Sequence, residues 1–473
     1  MSERETWSTN LGFVLAAIGS AVGLGNIWRF PWLTAENGGS AFLVVYLGLV
    51  VAIGVPGLVA EFVIGRRGHR DPVGAFRALS RSRWWPVVGV YAVGTTLLVL
   101  TFYSVVGGWI LRYTVGSLTG AYVADPATYF GTVSFGPEAV VAHLVFLGVV
   151  GAIIATGVSG GIERSSKAMM PAIVVLLGGL AVWAFSLPGA AGGYEFFLSF
   201  DVATLRENFL AILGPAAGQA LFTLSLGAGS MLTYASYLDR DESLPADATV
   251  IAVANTLIGV LTGLVVFPLL FSQGLPPGSG GEGALFIALA EAFASLPAGG
   301  VVAPLFFGVV LLAAVSSAIS MLETPVAYLV DEHAVPRRRA TLGVVGLLAV
   351  TGSATALAPS AFGLIAGTLA DLALTGGLLA FVVFVGWVLG RDAVDEYRAG
   401  AGSLSTPLAG AWHALVAWGL PVVLGFTLLT SLASLAGVAL GVELRVALTL
   451  GALVVVRTLV RMGRERRPVA GAD

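Results

Sequence analysis

The sequence predicts an all-α integral membrane protein of about twelve transmembrane helices, and three observations carry that reading. Of 473 residues, 57% are hydrophobic and only 11% charged, where an ordinary soluble domain carries roughly 25% charged residues. Apolar runs long enough to span the roughly 30 Å hydrocarbon layer recur along the chain. Apolar and polar residues do not alternate one by one, as the strands of a membrane β-barrel require. A mean hydropathy of +0.92 excludes a soluble enzyme. A net charge of −3 gives no footing for nucleic acid, and the absence of cysteine excludes disulfides, thiolate metal sites and cysteine nucleophiles. The charged Met1 to Glu5 segment runs straight into an apolar stretch without a small-residue cleavage site, so no removable signal peptide is expected.

Charged or Gly/Pro/Ser-rich breaks divide the apolar runs into spans near 11–35, 39–64, 85–115, 140–157, 165–187, 208–238, 247–272, 300–330, 341–358, 363–390, 409–432 and 441–461. A helix near 284–296 is too short to cross and is expected in an outside loop. Twenty of the 24 basic residues gather on one side of this arrangement, and only Arg29, Arg112, Arg206 and Arg445 fall toward the other. Short cytoplasmic loops hold the Lys/Arg excess, so both termini are expected in the cytoplasm of a multi-pass cell-membrane protein.

Lipid cannot satisfy free N–H and C=O groups, so an interruption inside a span is either a packing device or unwound backbone lining a cavity. The first span reads Gly19-Ser20-Ala21-Val22-Gly23-Leu24-Gly25-Asn26 at its middle, and the sixth reads Thr223-Leu224-Ser225-Leu226-Gly227-Ala228-Gly229. Corresponding breaks in two halves point to an inverted 5+5 repeat with a site between them. The whole of 1–473 then forms one transporter domain: 11–187 as first repeat, 208–390 as its inverted copy, and 409–461 as two additional helices. A half-helix starting at Leu24 and Gly25 points N–H groups at an anion, while carbonyls near Ala21 and Val22 suit a cation. Ser316, Ser317, Asn26 and Asn255 offer neutral oxygens of the kind sodium prefers.

Ala21-Val22-Gly23-Leu24-Gly25-Asn26-Ile27-Trp28-Arg29-Phe30-Pro31 and Glu36-Asn37-Gly38-Gly39 resemble the signature of the neurotransmitter:sodium symporter family. The match extends through Glu61 to Arg66, Gly161-Ile162-Glu163-Arg164, Phe222 to Gly227 and Thr233 to Tyr237, covering spans one to ten. The resemblance implies two sodium ions: one held by Ala21, Asn26, Thr223 and Asn255 with the substrate carboxylate, the other by Gly19, Val22, Ala313, Ser316 and Ser317. It implies that Leu24, Gly25 and Tyr103 hold a carboxylate, and that Ala21, Phe222, Thr223 and Ser225 hold an ammonium. Val99, Tyr103, Phe222, Ser225, Ala228, Ser317 and Met321 would line the side-chain pocket. Gly23 stands where monoamine-transporting relatives carry an Asp, and small Ala228 leaves room for a large side chain. The gates would be Arg4 with Asp331, Trp7 and Tyr237 inside, and Arg29 with Tyr103 and Phe222 outside. Gly161 and Pro171 reproduce a spacing at which the fifth span of relatives unwinds.

Two positions depart from the family pattern. Where relatives place the acidic partner of Arg29, the tenth span reads Gly363-Leu364-Ile365-Ala366, with Asp371 more than a turn away. Where they carry a carboxylate or a hydroxyl one turn after Asn255, Gly259 stands; Tyr46, Gln219 and Thr223 match chloride-contacting positions, so chloride is the expected charge balance. Glu61 is expected to bond unwound backbone. The resemblance thus implies sodium-coupled symport of a neutral, large hydrophobic amino acid by alternating access, with membrane lipid as surroundings, no nucleic acid and no obligatory protein partner. No catalytic constellation competes. The other readings are a proton-coupled carrier using Glu61 or Glu323, and a non-transporting amino-acid-binding membrane protein.

Overall fold

The computed structural model describes residues 6–200, 202–275, 283–296, 298–438 and 440–465; Arg4, Arg466 and Arg467 lie outside them. Each predicted span falls on helix. The first is the pair Asn10–Ala21 and Gly25–Glu36, bent by 44° at the break. The second to fifth are Ser40–Gly68, Pro86–Thr119, Pro137–Ile154 and Val158–Phe185, and the seventh to eleventh are Leu244–Ser272, Gly299–His333, Arg337–Ala356, Pro359–Leu389 and Thr406–Leu435. The sixth is Val202–Thr223 followed, after the break, by Ser230–Ala235. The twelfth is Val442–Glu465. These last two are the more polar, carrying Arg206 and Glu207, and Arg445, Arg457 and Arg461.

The segment expected to form a short non-spanning helix is the apolar helix Ala284–Ser295. Pro72–Leu79, Pro126–Ser134, Ala191–Leu198 and Arg391–Arg398 are helices that hydropathy did not reveal, because they lie in connections and need no apolar run. Asp71 starts one of them: its Oδ1 accepts from Val73 N and Gly74 N at 2.9 and 3.3 Å, with proline as the first helical residue.

The breaks lie at the core. After Ala21 the chain turns extended at Val22 (φ −80°, ψ 101°) and re-enters helix with a π turn at Gly25–Arg29. In the sixth span Ser225, Gly227 and Gly229 take left-handed φ of 53°, 85° and 76°, a region glycine enters without steric cost. A Cβ on Gly227 would run into the Leu374 carbonyl, so the tenth span packs directly on this backbone. Glu61, fully buried, accepts from Gly227 N at 2.7 Å and Leu232 N at 3.2 Å. Those N–H groups have lost their helical acceptors, and the carboxylate supplies what lipid cannot. Outward faces are apolar in turn: Val51, Val175, Val182 and Phe185 are all exposed.

Further π turns occur at Val158–Glu163, overlapping the start of the Gly161 to Pro171 segment, and at Ile365–Leu369 in the tenth span. Each widens its turn and rotates everything after it relative to α-helical counting.

Candidate substrate and ion site between the broken helices

The two breaks touch. Ser225 Oγ donates to Ser20 O at 2.9 Å, Gln219 Nε2 to Gly25 O at 2.7 Å, and Thr223 Oγ1 to Asn26 Oδ1 at 3.0 Å. Asn26 Nδ2 reaches Asn255 O and Oδ1 at 2.8 and 2.9 Å, and Thr223 Oγ1 lies 3.1 Å from Asn255 Oδ1. Three elements thus bring two amide oxygens and a hydroxyl to one buried point. Neutral oxygens of this kind suit a hard monovalent cation. Among the described residues no three His, Cys, Asp or Glu side chains gather as metal ligands.

At the other face of the first break, Ser316 Oγ donates to Ala313 O at 2.9 Å and lies 3.2 Å from Val22 O. Gly19 lies against it, because a Cβ there would meet Ser316 Cβ at 3.5 Å. Ser317 turns instead toward Gly23 and Tyr103. A Cβ on Gly23 would stand 2.6 Å from Ser317 Cβ and 2.7 Å from the Tyr103 hydroxyl, so no side chain fits there, an Asp included.

Tyr103 Oη accepts from Leu24 N at 3.2 Å. Around this contact is an enclosed cavity bordered by Gly23, Gly25, Val99, Phe222, Ala228 and Met321, with Ala21, Ser225 and Ser317 completing its near wall. Every residue predicted for the side-chain pocket lines it, and none of the lining residues is charged. Its volume is ≈ 20 Å³, room for about one water. In this conformation Leu374 of the tenth span, with Ala228, also closes on the cavity. Hydropathy could not single out Leu374, one apolar residue in an apolar span.

The outer ion pair is corrected. Arg29 Nη2 meets Asp371 Oδ2 at 2.6 Å, and the guanidinium lies 4.8 Å from the centre of the Phe222 ring. Counting α-helical turns placed Asp371 too far along, but the π turn at Ile365–Leu369 immediately precedes it. On the inner side Arg4 lies outside the described residues, so its pairing with Asp331 is not seen; Asp331 Oδ2 accepts from Asp71 N at 3.1 Å. Trp7 Nε1 donates to Tyr234 O at 3.0 Å and its ring packs edge-on to Tyr237. The Tyr237 hydroxyl donates to Glu323 Oε1 at 2.8 Å, and Arg337 grips both oxygens of Glu323 at 2.7 and 2.9 Å. Arg337 was missed as part of this closure; an arginine run opening the ninth span next to a buried acid in the eighth is the signal for it.

Beside Asn255 lie buried donors without acceptors: the Tyr46 hydroxyl, Asn255 Nδ2 and Thr256 Oγ1. Tyr46 lies close to Thr223, Asn255 and Thr256. Gln219 commits one amide hydrogen to Gly25 O, and its Oε1 has no partner. An unpaired buried donor costs roughly 1–3 kcal/mol, so this group of three fits an anion. Thr256 was not predicted here.

Two helices broken over a shared buried cavity fit a secondary transporter of the broken-helix class. The sequence profile of the Sodium:neurotransmitter symporter family matches residues 4–126 and 135–395, and the chain belongs to that family. It is 39% identical over 334 residues to an uncharacterized sodium-dependent transporter of Bacillus subtilis, covering 69% of this chain and 73% of that one. It is 32% identical over 437 residues to another from Methanocaldococcus jannaschii, covering 87% and 86%. The bovine sodium-dependent dopamine transporter is 29% identical over 449 residues, 82% of this chain and 63% of that one. Among solved structures, MhsT in complex with L-phenylalanine superposes with a TM-score of 0.81 at 36% identity, covering 90% of this chain and 100% of that one. The protein is a membrane transporter of a sodium-coupled family, and the family and these relatives are transporters rather than enzymes.

Proposed function

We propose that the protein carries a neutral, large hydrophobic amino acid across the cell membrane together with sodium ions by alternating access. The observation that supports this most is Gly23: with no room for a side chain there, a bare amine would find no counter-ion, whereas a zwitterion brings its own carboxylate to Leu24 N, Gly25 N and Tyr103. The same carboxylate completes the oxygen set of Asn26, Thr223 and Asn255 around a first sodium. Each ion is poorly paired alone in a low-dielectric cavity, so their binding is mutual. A second sodium would sit by Gly19, Val22, Ala313, Ser316 and Ser317. The apolar remainder, with Val99, Phe222, Ala228 and Met321, suits an uncharged side chain, and the likeness to phenylalanine-bound MhsT agrees.

The site's own residues account for the coupling steps. Oxygens from the first, sixth and seventh helices converge on one ion, which draws the broken spans together. Phe222 then covers the substrate, with Arg29 and Asp371 above it. The inner end opens when the Trp7 and Tyr237 contacts release. The proton-coupled alternative is weakened because Glu61 is held by two backbone N–H groups and Glu323 by Arg337 and Tyr237. Chloride as balancing anion rests on the three unpaired donors of Tyr46, Asn255 and Thr256. The repeat division at 11–187 and 208–390, cytoplasmic termini and residence in the cell membrane belong to the same proposal.

The deciding measurement is uptake into proteoliposomes under an inward sodium gradient, after thermal stabilisation against twenty amino acids with and without sodium. Accumulation of Phe, Trp, Leu or Met that needs sodium supports the reading. Saturable binding without accumulation would indicate a non-transporting binder, and uptake driven by a pH gradient in sodium-free buffer would indicate proton coupling.

A further inference from the structure

A second cavity, ≈ 510 Å³, lies away from the transport site, between the connection after Pro72–Leu79, the end of the tenth span and the twelfth helix. Its lining divides by chemistry. Arg81, Ser80 and Ser82 supply charge and hydroxyls, Trp84 and Trp85 indole rings, and Val456 and Leu459 belong to its apolar wall. No carboxylate lines it, and among the described residues Arg81 has no ion-pair partner. Arg457 is turned aside, its guanidinium 4.0 Å from the Trp418 ring, while Arg461, exposed, directly follows Val460 of the apolar wall. Arg83, also exposed, lies 5.2 Å over the Trp84 ring.

We infer that this cavity is a binding site for one anionic phospholipid of the leaflet on the arginine-rich side of the protein. Tryptophans mark the level of the headgroups in membrane proteins, so Trp84 and Trp85 set the depth at which a headgroup phosphate would stand. Arg81, with Arg83 and Arg461 near by, supplies the charge complement. Ser80 and Ser82 add hydroxyls for glycerol or phosphate oxygens. The wall of Val456, Leu459 and Val460 continues into the exposed apolar face of the twelfth helix, where Val455 and Met462 are open to the bilayer, and an acyl chain can follow it. A soluble anion would use Arg81 and leave this wall unused; a zwitterionic lipid would fill the wall but bring no net charge to the arginines. The combination selects an anionic lipid.

The test is delipidated full-length protein in detergent, titrated with phosphatidylglycerol, phosphatidylcholine or inorganic phosphate while thermal unfolding is followed. Phosphatidylglycerol should raise the melting temperature saturably, and the other two should not. Arg81→Gln should weaken the apparent affinity for phosphatidylglycerol about fivefold, the value of one basic residue near an anionic surface. Leu459→Trp, which fills the apolar wall, should weaken it without altering charge. Neither residue touches the transport site, so sodium-dependent substrate stabilisation serves as the folding control. Equal stabilisation by phosphatidylcholine, saturation by inorganic phosphate alone, or unchanged affinity in both folded variants would overturn the assignment.

Discussion

Arg29 and Asp371 join the first span to the tenth directly above the substrate cavity, with Nη2 and Oδ2 2.6 Å apart and the same guanidinium over the Phe222 ring. Their side chains are 9% and 28% exposed, so the pair is only partly shielded from water. Gly218 makes room for it, since a Cβ there would stand 3.0 Å from Asp371 Oδ2. Asp371→Asn should therefore leave the protein folded, strand Arg29 without a counter-charge and lower uptake by about tenfold; the cost is kept below that of breaking a fully buried pair because of the exposure. Uptake by Asp371→Asn equal to the parent would show that outer closure does not use this pair.

Sodium dependence should reside in hydroxyls that do not titrate. Ser316→Ala removes the contact to Val22 O, and Ser317→Ala removes the hydroxyl facing Gly23 and Tyr103. Each should raise the sodium concentration for half-maximal uptake several-fold, because a lost ligand in a buried ion site leaves desolvated charge behind. Sodium affinity unchanged in both variants would remove the second ion from the mechanism.

Pocket volume should set selectivity. A fully buried large apolar side chain is worth roughly 1.5–3 kcal/mol, so Ala228→Phe should lose Trp and Phe, about tenfold or more, before Ala or Gly. Leu374→Ala, opening the cavity from the tenth span, should shift preference the opposite way. An equal effect on every substrate would place neither residue in the pocket.

Asp71 gives a pH dependence outside the spans. Burial, with Asp331 and Glu332 adding negative charge, pushes its carboxyl up to about 7, while Arg77 is occupied by Glu332. The unfolded chain releases this proton near pH 4, so the native state holds it between about pH 4 and 7. This group's contribution to stability is complete below pH 4, declines as pH rises to about 7 and is then constant. The melting temperature should fall by a few degrees from pH 5 to 8. Asp71→Asn, which keeps the helix cap, should flatten that slope; a slope identical in both proteins would assign it to another group.

Chloride should be required if the unpaired Tyr46, Asn255 and Thr256 donors receive an anion. Replacing chloride by gluconate at constant sodium should reduce uptake several-fold, and Gly259→Glu should restore it. The position has space: a Cβ there meets nothing closer than Asn26 Nδ2 at 3.6 Å. Indifference of the parent protein to chloride would remove the anion from this site, since Glu323 is already neutralised by Arg337.

The bilayer explains what the linear chain already determined. Because lipid tolerates neither charge nor free backbone, the spans stand out as apolar runs, and the breaks stand out as Gly-Leu-Gly-Asn at 23–26 and Leu-Gly-Ala-Gly at 226–229. Ala21, Gly23, Gly25, Asn26, Thr223, Ser225 and Ala228 were legible for the same reason, since they flank those breaks, whereas Val99, Tyr103 and Met321 were expected only from the family resemblance. Tertiary structure decided the rest. Asp371 reaches Arg29 beside a π turn at Ile365–Leu369, whose register no fixed helical period anticipates. Leu374 enters the pocket because the tenth span packs backbone to backbone on Gly227, a contact between residues distant in the chain. Thr256 joins Tyr46, and Arg337 joins Glu323, only when helices far apart in sequence are placed side by side. Periodicity and composition report how one segment meets its solvent; which partner a buried polar group finds depends on where the other helices come to lie.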